Sequence, residues 1–100
     1  MYRMTIVYGM PEDPAHFRDY YYRTHIPLAR RMQGLTGWNL TWLDGDDRHL
    51  LVAALYAPDK AAMDAILASP EGVAAREDLA NFVTGTVDFL AGDEEEVALA

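Results

Sequence analysis

Across residues 2–9, Met4, Ile6 and Tyr8 alternate with Thr5 and Val7, which is the two-residue period of a strand. Gly9, Pro11 and Pro14 end it. Asp13-Pro14 then predicts a helix start: the carboxylate can accept a free N–H of the first turn, and proline at the first helical position forfeits no hydrogen bond. Phe17, Tyr20, Tyr21, Thr24, Leu28 and Met32 recur at helical spacing and form one apolar stripe, on a helix that the pattern carries to about Gln33 with Gly34 as its left-handed stop. Pro27 falls inside this helix. It deletes a backbone hydrogen bond and crowds the preceding turn, so a bend is expected beside His25.

Thr36–Leu43 alternates again, with Trp38, Leu40 and Trp42 on one side, and Leu50–Tyr56 is a continuous apolar run closed by Pro58. Both read as strands, and the polar segment 44–49 between them reads as a hairpin turn. Asp59 caps a helix carrying Ala62, Met63, Ile66 and Leu67. Ser69-Pro70 restarts it, with Ala75, Leu79 and Phe82 continuing the stripe, and Gly85 opens a last strand over 86–90.

The order strand, helix, strand, strand, helix, strand predicts an α+β, ferredoxin-like βαββαβ antiparallel sheet with both helices on one face. Residues 1–92 form this single domain, and 93–100, led by Asp93-Glu94-Glu95-Glu96, form a solvated acidic tail. Two helices cover one sheet face only. Yet in the central run Leu51, Ala53 and Leu55 point one way while Leu50, Val52 and Tyr56 point the other. Four strands about 17 Å long and ~4.8 Å apart present on the order of 300 Å² in projection, and more as accessible surface. Monomers seldom leave a larger apolar patch bare. Face-to-face packing of two copies through this open sheet face would cover it and give a dimeric α+β barrel.

A formal net charge of −8 argues against nucleic acid as a partner, because counterion release needs a clustered basic surface. Arg18, Arg23, Arg30 and Arg31 read as a solvated helix face. With no cysteine, thiolate metal sites, disulfides and cysteine nucleophiles are excluded. The amino-terminal residues lack the order of a signal peptide and no apolar run approaches the ~20 residues needed to span a bilayer, so the expected location is cytoplasmic. No cofactor is expected. Gly9, Gly34, Gly37 and Gly45 are scattered turn positions with no phosphate-loop spacing, and no polar or cationic cluster suits haem propionates. His49 with Asp44, Asp46 and Asp47 lacks the ligand order of a calcium loop and reads as a hairpin, and His16 as an exposed first-turn residue.

His25 is the histidine whose helix position adjoins the apolar stripe, and an unperturbed pKa of ~6.5 suits proton transfer near neutrality. The competing reading is a structural histidine that donates to a carbonyl freed by Pro27. Tyr21, one turn earlier, is the candidate partner for a ligand oxygen or for the imidazole. Tyr8, Phe17, Tyr20, Trp38, Trp42 and Phe82 are candidate pocket walls, although aromatic stripes also serve as core or as dimer contact. Asn81 either donates to a ligand carbonyl or caps its helix.

Tyr8-Gly9-Met10-Pro11-Glu12-Asp13-Pro14, Phe17, Tyr20-Tyr21, His25-Ile26-Pro27-Leu28-Ala29, Gly34-Leu35, Ser69-Pro70-Glu71-Gly72 and Asp78-Leu79-Ala80-Asn81-Phe82 together resemble the EthD family of the dimeric α+β barrel superfamily. One departure is Gln33, where the family often has proline before the Gly-Leu pair. The resemblance implies a homodimer with a cavity between sheet and helices, and an association with degradation of ethers and other xenobiotics. Superfamily relatives include lactone isomerases, cofactor-independent monooxygenases and haem enzymes. The expected function is a cofactor-independent isomerase or oxygenase of a small apolar or aromatic oxygenated metabolite with His25 as general acid/base. The alternative is a non-catalytic dimer that binds a degradation intermediate.

Overall fold

The computed structural model describes residues 1–100. Four strands, β1 (Tyr2–Gly9), β2 (Gly37–Trp42), β3 (His49–Ala57) and β4 (Val87–Asp93), form one antiparallel sheet in the order β2-β3-β1-β4. Helices α1 (Pro14–Tyr20) and α2 (Ile26–Ala29), joined by a π turn at Tyr21–His25, lie on one face together with α3 (Lys60–Ala68), α4 (Pro70–Glu77) and a 3-10 turn at Asp78–Asn81. This is the ferredoxin-like α+β arrangement read from the sequence.

The caps follow the side chains that announce them. Asp13 accepts from the His16 N–H at 3.0 Å, Asp59 from the Ala62 N–H at 2.8 Å, and Ser69 Oγ from the Gly72 N–H at 3.1 Å. Ser69 ends α3 with extended backbone, and Pro70 begins α4. Gly72 lets the two helices meet closely, since a Cβ there would run into the Ile66 and Leu67 carbonyl oxygens.

The first helix departs from expectation in three ways. The bend anticipated at Pro27 takes the form of the π turn: the Ile26 N–H reaches back five residues to the Tyr21 carbonyl, and Pro27, having no N–H, falls in the first turn of α2. A π turn holds more residues than an α turn, so positions four apart stay in line through it. The buried row is therefore Phe17, Tyr21, His25, Ala29 and Met32, with Thr24 exposed and Leu28 only half-buried. Regular helix also stops at Ala29 rather than near Gln33; Arg31 and Met32 close on Leu28 and Ala29 by tighter three-residue bonds before Gly34 turns at φ +104°.

The carboxyl end differs too. Helix α4 gives way to the 3-10 turn at Asp78, ahead of Leu79 and Phe82. Strand β4 runs to Asp93, and the Glu94 N–H donates to the Met1 carbonyl at 2.9 Å, so pairing with β1 carries the sheet into the first acidic positions.

Register separates the sheet's faces. Tyr2, Met4, Ile6 and Tyr8 pair with Ala57, Leu55, Ala53 and Leu51 on the helix side. Val7 opposite Val52, Thr5 opposite Ala54 and Arg3 opposite Tyr56 form the other face, and β4 adds Leu90, which is 59% exposed. No helix of this chain covers that face.

Candidate active site

The π turn and the 3-10 turn lie 53 residues apart in sequence and meet over the sheet, where His25 Nδ1 stands 3.0 Å from Asp78 Oδ2. His25 and Asp78 are the two buried polar or charged side chains of the core. Asp78 is held from its other oxygen, which accepts from the Tyr20 hydroxyl at 2.7 Å and from Asn81 Nδ2 at 2.9 Å. Burial pushes the Asp78 carboxyl up, but donation from Asn81, His25 and Tyr20 together brings it below the ordinary carboxylate range. Burial lowers the His25 pKa below 6.5, and the neighbouring Asp78 only partly offsets this. Near neutral pH the pair is thus a carboxylate and a neutral imidazole. A carboxylate only accepts, so Nδ1 carries the proton and donates to Asp78, leaving the Nε2 lone pair unused within the protein.

His25 lines a cavity of about 360 Å³ between sheet and helices. Its floor is Met4, Ile6 and Tyr8 of β1 with Ala53 and Leu55 of β3, and Tyr21, Met32, Ala75 and Leu79 close it from the helix side. Arg76 is the one charged residue in the wall. It and Phe89, which is 48% exposed, lie on the open side. Trp38 completes the wall from β2.

The cavity's other polar groups gather around Tyr21, whose ring centre is 5.1 Å from His25 and 6.0 Å from Tyr8. Tyr8 and Trp38 lie close enough to the Tyr21 phenol to hold its ionisation down somewhat. Burial still drives both phenols, Tyr21 and Tyr8, well above the ordinary range. None of these groups reaches bonding geometry. The Tyr8 hydroxyl and Trp38 Nε1 are both buried with no hydrogen-bond partner in the protein, a state that costs about 1–3 kcal/mol per group.

The residues singled out from the sequence thus fall into three groups. Tyr8, Tyr21, His25 and Trp38 line the cavity. Tyr20 and Asn81 hold Asp78 instead of facing the cavity. Phe17, Trp42 and Phe82 pack behind it: Phe17 and Phe82 are buried in the aromatic core, Phe82 braces the His25 ring at 5.0 Å, and Trp42 donates to the Tyr22 hydroxyl at 2.9 Å beneath the Arg18 guanidinium. Sequence reasoning missed Asp78 as the partner of His25. Its signal was present only as one position of the Asp78–Phe82 segment. The aliphatic floor was legible in the alternation of Met4 and Ile6 with Tyr8 on one strand face.

Fold and site together define a ferredoxin-like α+β protein with a buried histidine–aspartate pair opening onto an apolar cavity. The EthD domain profile matches residues 10–86, and the chain belongs to the EthD family. An uncharacterized 11.0 kDa protein of the thcB-thcC intergenic region of Rhodococcus erythropolis is 40% identical over 101 residues, spanning 97% of this chain and 98% of its own. The crystal structure of an EthD family protein from Bacillus halodurans superposes with a TM-score of 0.88 at 26% identity, covering 95% of this chain and 99% of that one. SnoaB of Streptomyces nogalater, a cofactor-independent oxygenase, shares the fold at a TM-score of 0.73 and 18% identity over 99% and 97% of the two chains.

Proposed function

We propose that the protein is a cofactor-independent enzyme, of isomerase or oxygenase type, that acts on a small apolar or aromatic oxygenated metabolite in a catabolic pathway. His25 is its general base and acid. The observation that carries this is the neutral imidazole fixed through Nδ1 by a buried, triply held carboxylate, with Nε2 left for an apolar cavity. In that position Nε2 takes a proton from a substrate carbon. The carbanion then either receives the proton back at another carbon or reacts with dioxygen, and both routes share the first step. Tyr21, one ring away, supplies a hydroxyl to the same substrate. The fold shared with a cofactor-independent oxygenase supports the second route.

The working unit is a homodimer. Val7, Val52, Tyr56 and Leu90, interspersed with Arg3 and Thr5, lie on the sheet face away from the helices, and a second copy packed there about a twofold axis would cover their apolar area.

Deuterium exchange tests the chemistry before the natural substrate is known. Phenylacetone and 2-acetylnaphthalene are incubated with the protein in heavy water, and loss of the α-proton signal is followed by NMR. Wild type is expected to exceed buffer by about 10²–10⁴-fold, with the excess lost in a folded His25→Ala variant. Ketones that bind without accelerated exchange would point instead to a carrier that does no chemistry.

A further inference from the structure

Of the three buried side-chain polar atoms that lack a partner in the protein, two, the Tyr8 hydroxyl and Trp38 Nε1, belong to residues that line the same cavity and lie near the Tyr21 phenol. The third, Arg3 Nε, belongs to a strand position on the opposite sheet face. Buried donors in native proteins are nearly always satisfied, so a pair of open ones on one cavity indicates what the cavity receives. An indole N–H only donates, and no rotation turns it into an acceptor. The group it meets is therefore a lone-pair acceptor, which excludes an ammonium, and a carbonyl oxygen fits because it accepts from two donors at once.

We propose that Tyr8 and Trp38, with Tyr21 between them and His25, form a cradle of hydrogen-bond donors for one substrate oxygen, and that the substrate class is a carbonyl compound with an acidic C–H beside that carbonyl. This deepens the function proposed above and rests on it for the chemistry, though not for the binding. The electron count closes without a co-reactant. Nε2 takes the α-proton, the C–H pair becomes the new carbon–carbon double bond, and the carbonyl π pair moves onto oxygen as an enolate held by the cradle. Return of the proton to a vinylogous carbon completes an isomerisation, and return to the original carbon appears as exchange with solvent. Ring spacings of 5.1 Å from His25 to Tyr21 and 6.0 Å from Tyr21 to Tyr8 keep base and cradle within the span of one small ligand. Arg76 is exposed at the open side and takes no part in this.

The test compares 2-acetylnaphthalene with 2-isopropenylnaphthalene, which has the same shape with a methylene in place of the oxygen. Binding is followed on the indole N–H resonances of nitrogen-15-labelled protein. The chain has two tryptophans, and the Trp42 N–H is already engaged by Tyr22, so it serves as an internal control. The ketone is expected to bind about tenfold or more tighter than the olefin and to shift the Trp38 indole N–H downfield, with Trp42 unmoved. Tyr8→Phe lowers that preference several-fold. His25→Ala leaves it in place while abolishing exchange, so a failure of the base and a failure of the cradle give different results. Equal affinities, a stationary Trp38 resonance with ketone bound, or no ketone binding up to its solubility limit would each overturn the proposal.

Discussion

Replacing Asp78 by asparagine removes one charge at nearly constant shape and breaks the pair at its centre. Three donors converge on the carboxylate, from His25 Nδ1 at 3.0 Å, Tyr20 at 2.7 Å and Asn81 at 2.9 Å. Asparagine has one carbonyl oxygen, which can keep the Tyr20 and Asn81 bonds in neutral form while its NH2 faces the His25 Nδ1–H and cannot accept from it. Hydrogen bonds to a charged acceptor contribute about 1.5–3 kcal/mol against about 0.5–1.5 for neutral ones, so two downgraded bonds and one lost bond cost roughly 4 kcal/mol. Removing the desolvation cost of the buried charge returns part of this, for a net loss of about 2 kcal/mol. For a domain of this size that lowers Tm by roughly 8–16 °C.

The acid limb of stability changes as well. Folded His25 titrates below 6.5 and folded Asp78 below 3.8, so each binds fewer protons folded than unfolded. Stability therefore falls with pH, first below about 6.5 as unfolded His25 takes a proton the native form refuses, then below about 3.8 through Asp78. Asp78→Asn removes the second fall and deepens the first, because the neighbour that raised the His25 pKa is gone. Thermal unfolding followed by circular dichroism from pH 3 to 8 measures both effects. A variant within 2 °C of wild type at neutral pH, with an unchanged acid limb, would refute the reasoning.

Three further outcomes follow. Tyr20→Phe deletes one of the bonds to Asp78; it is expected to cost about 1 kcal/mol in chemical denaturation and to move the Asp78 carboxyl toward its ordinary range in carbon-13 titration. Gly72→Ala places a methyl against the Ile66 and Leu67 carbonyls and is expected to lower stability by about 1–3 kcal/mol, read as a shifted denaturation midpoint with unchanged slope. Val52→Lys charges the uncovered sheet face: light scattering should give twice the 11.2 kDa protomer mass for wild type and a single protomer for the variant, while equal masses would argue against that face as the contact.

Much of the fold was legible because local rules carry it. Met4, Ile6 and Tyr8 alternate as a half-buried strand must, and Asp13, Asp59 and Ser69 announce helices with side chains that accept the free N–H groups. Pro27 marked a distortion. That it takes the form of a π turn depends on packing the Tyr21–His25–Ala29 row against the sheet, and a helical wheel with a fixed 3.6-residue turn misplaced that row onto Thr24 and Leu28. Half of the site was legible for the same local reason, since His25 and Tyr21 share a turn. Asp78 was not, because its link to His25 exists only after the sheet order β2-β3-β1-β4 folds the end of α4 over the first helix. Tyr20 read as a pocket wall and Asn81 as a ligand donor or helix cap, when the acceptor for both is this buried carboxylate.

The claim beneath the whole account is that His25 is neutral and protonated on Nδ1 inside the folded protein. Long-range proton–nitrogen-15 correlation of the imidazole across a pH titration reads the tautomer and the pKa at once. The structure predicts the Nδ1–H form at neutral pH and a midpoint below 6.5. A ring protonated on Nε2, or a midpoint above 6.5, would contradict it.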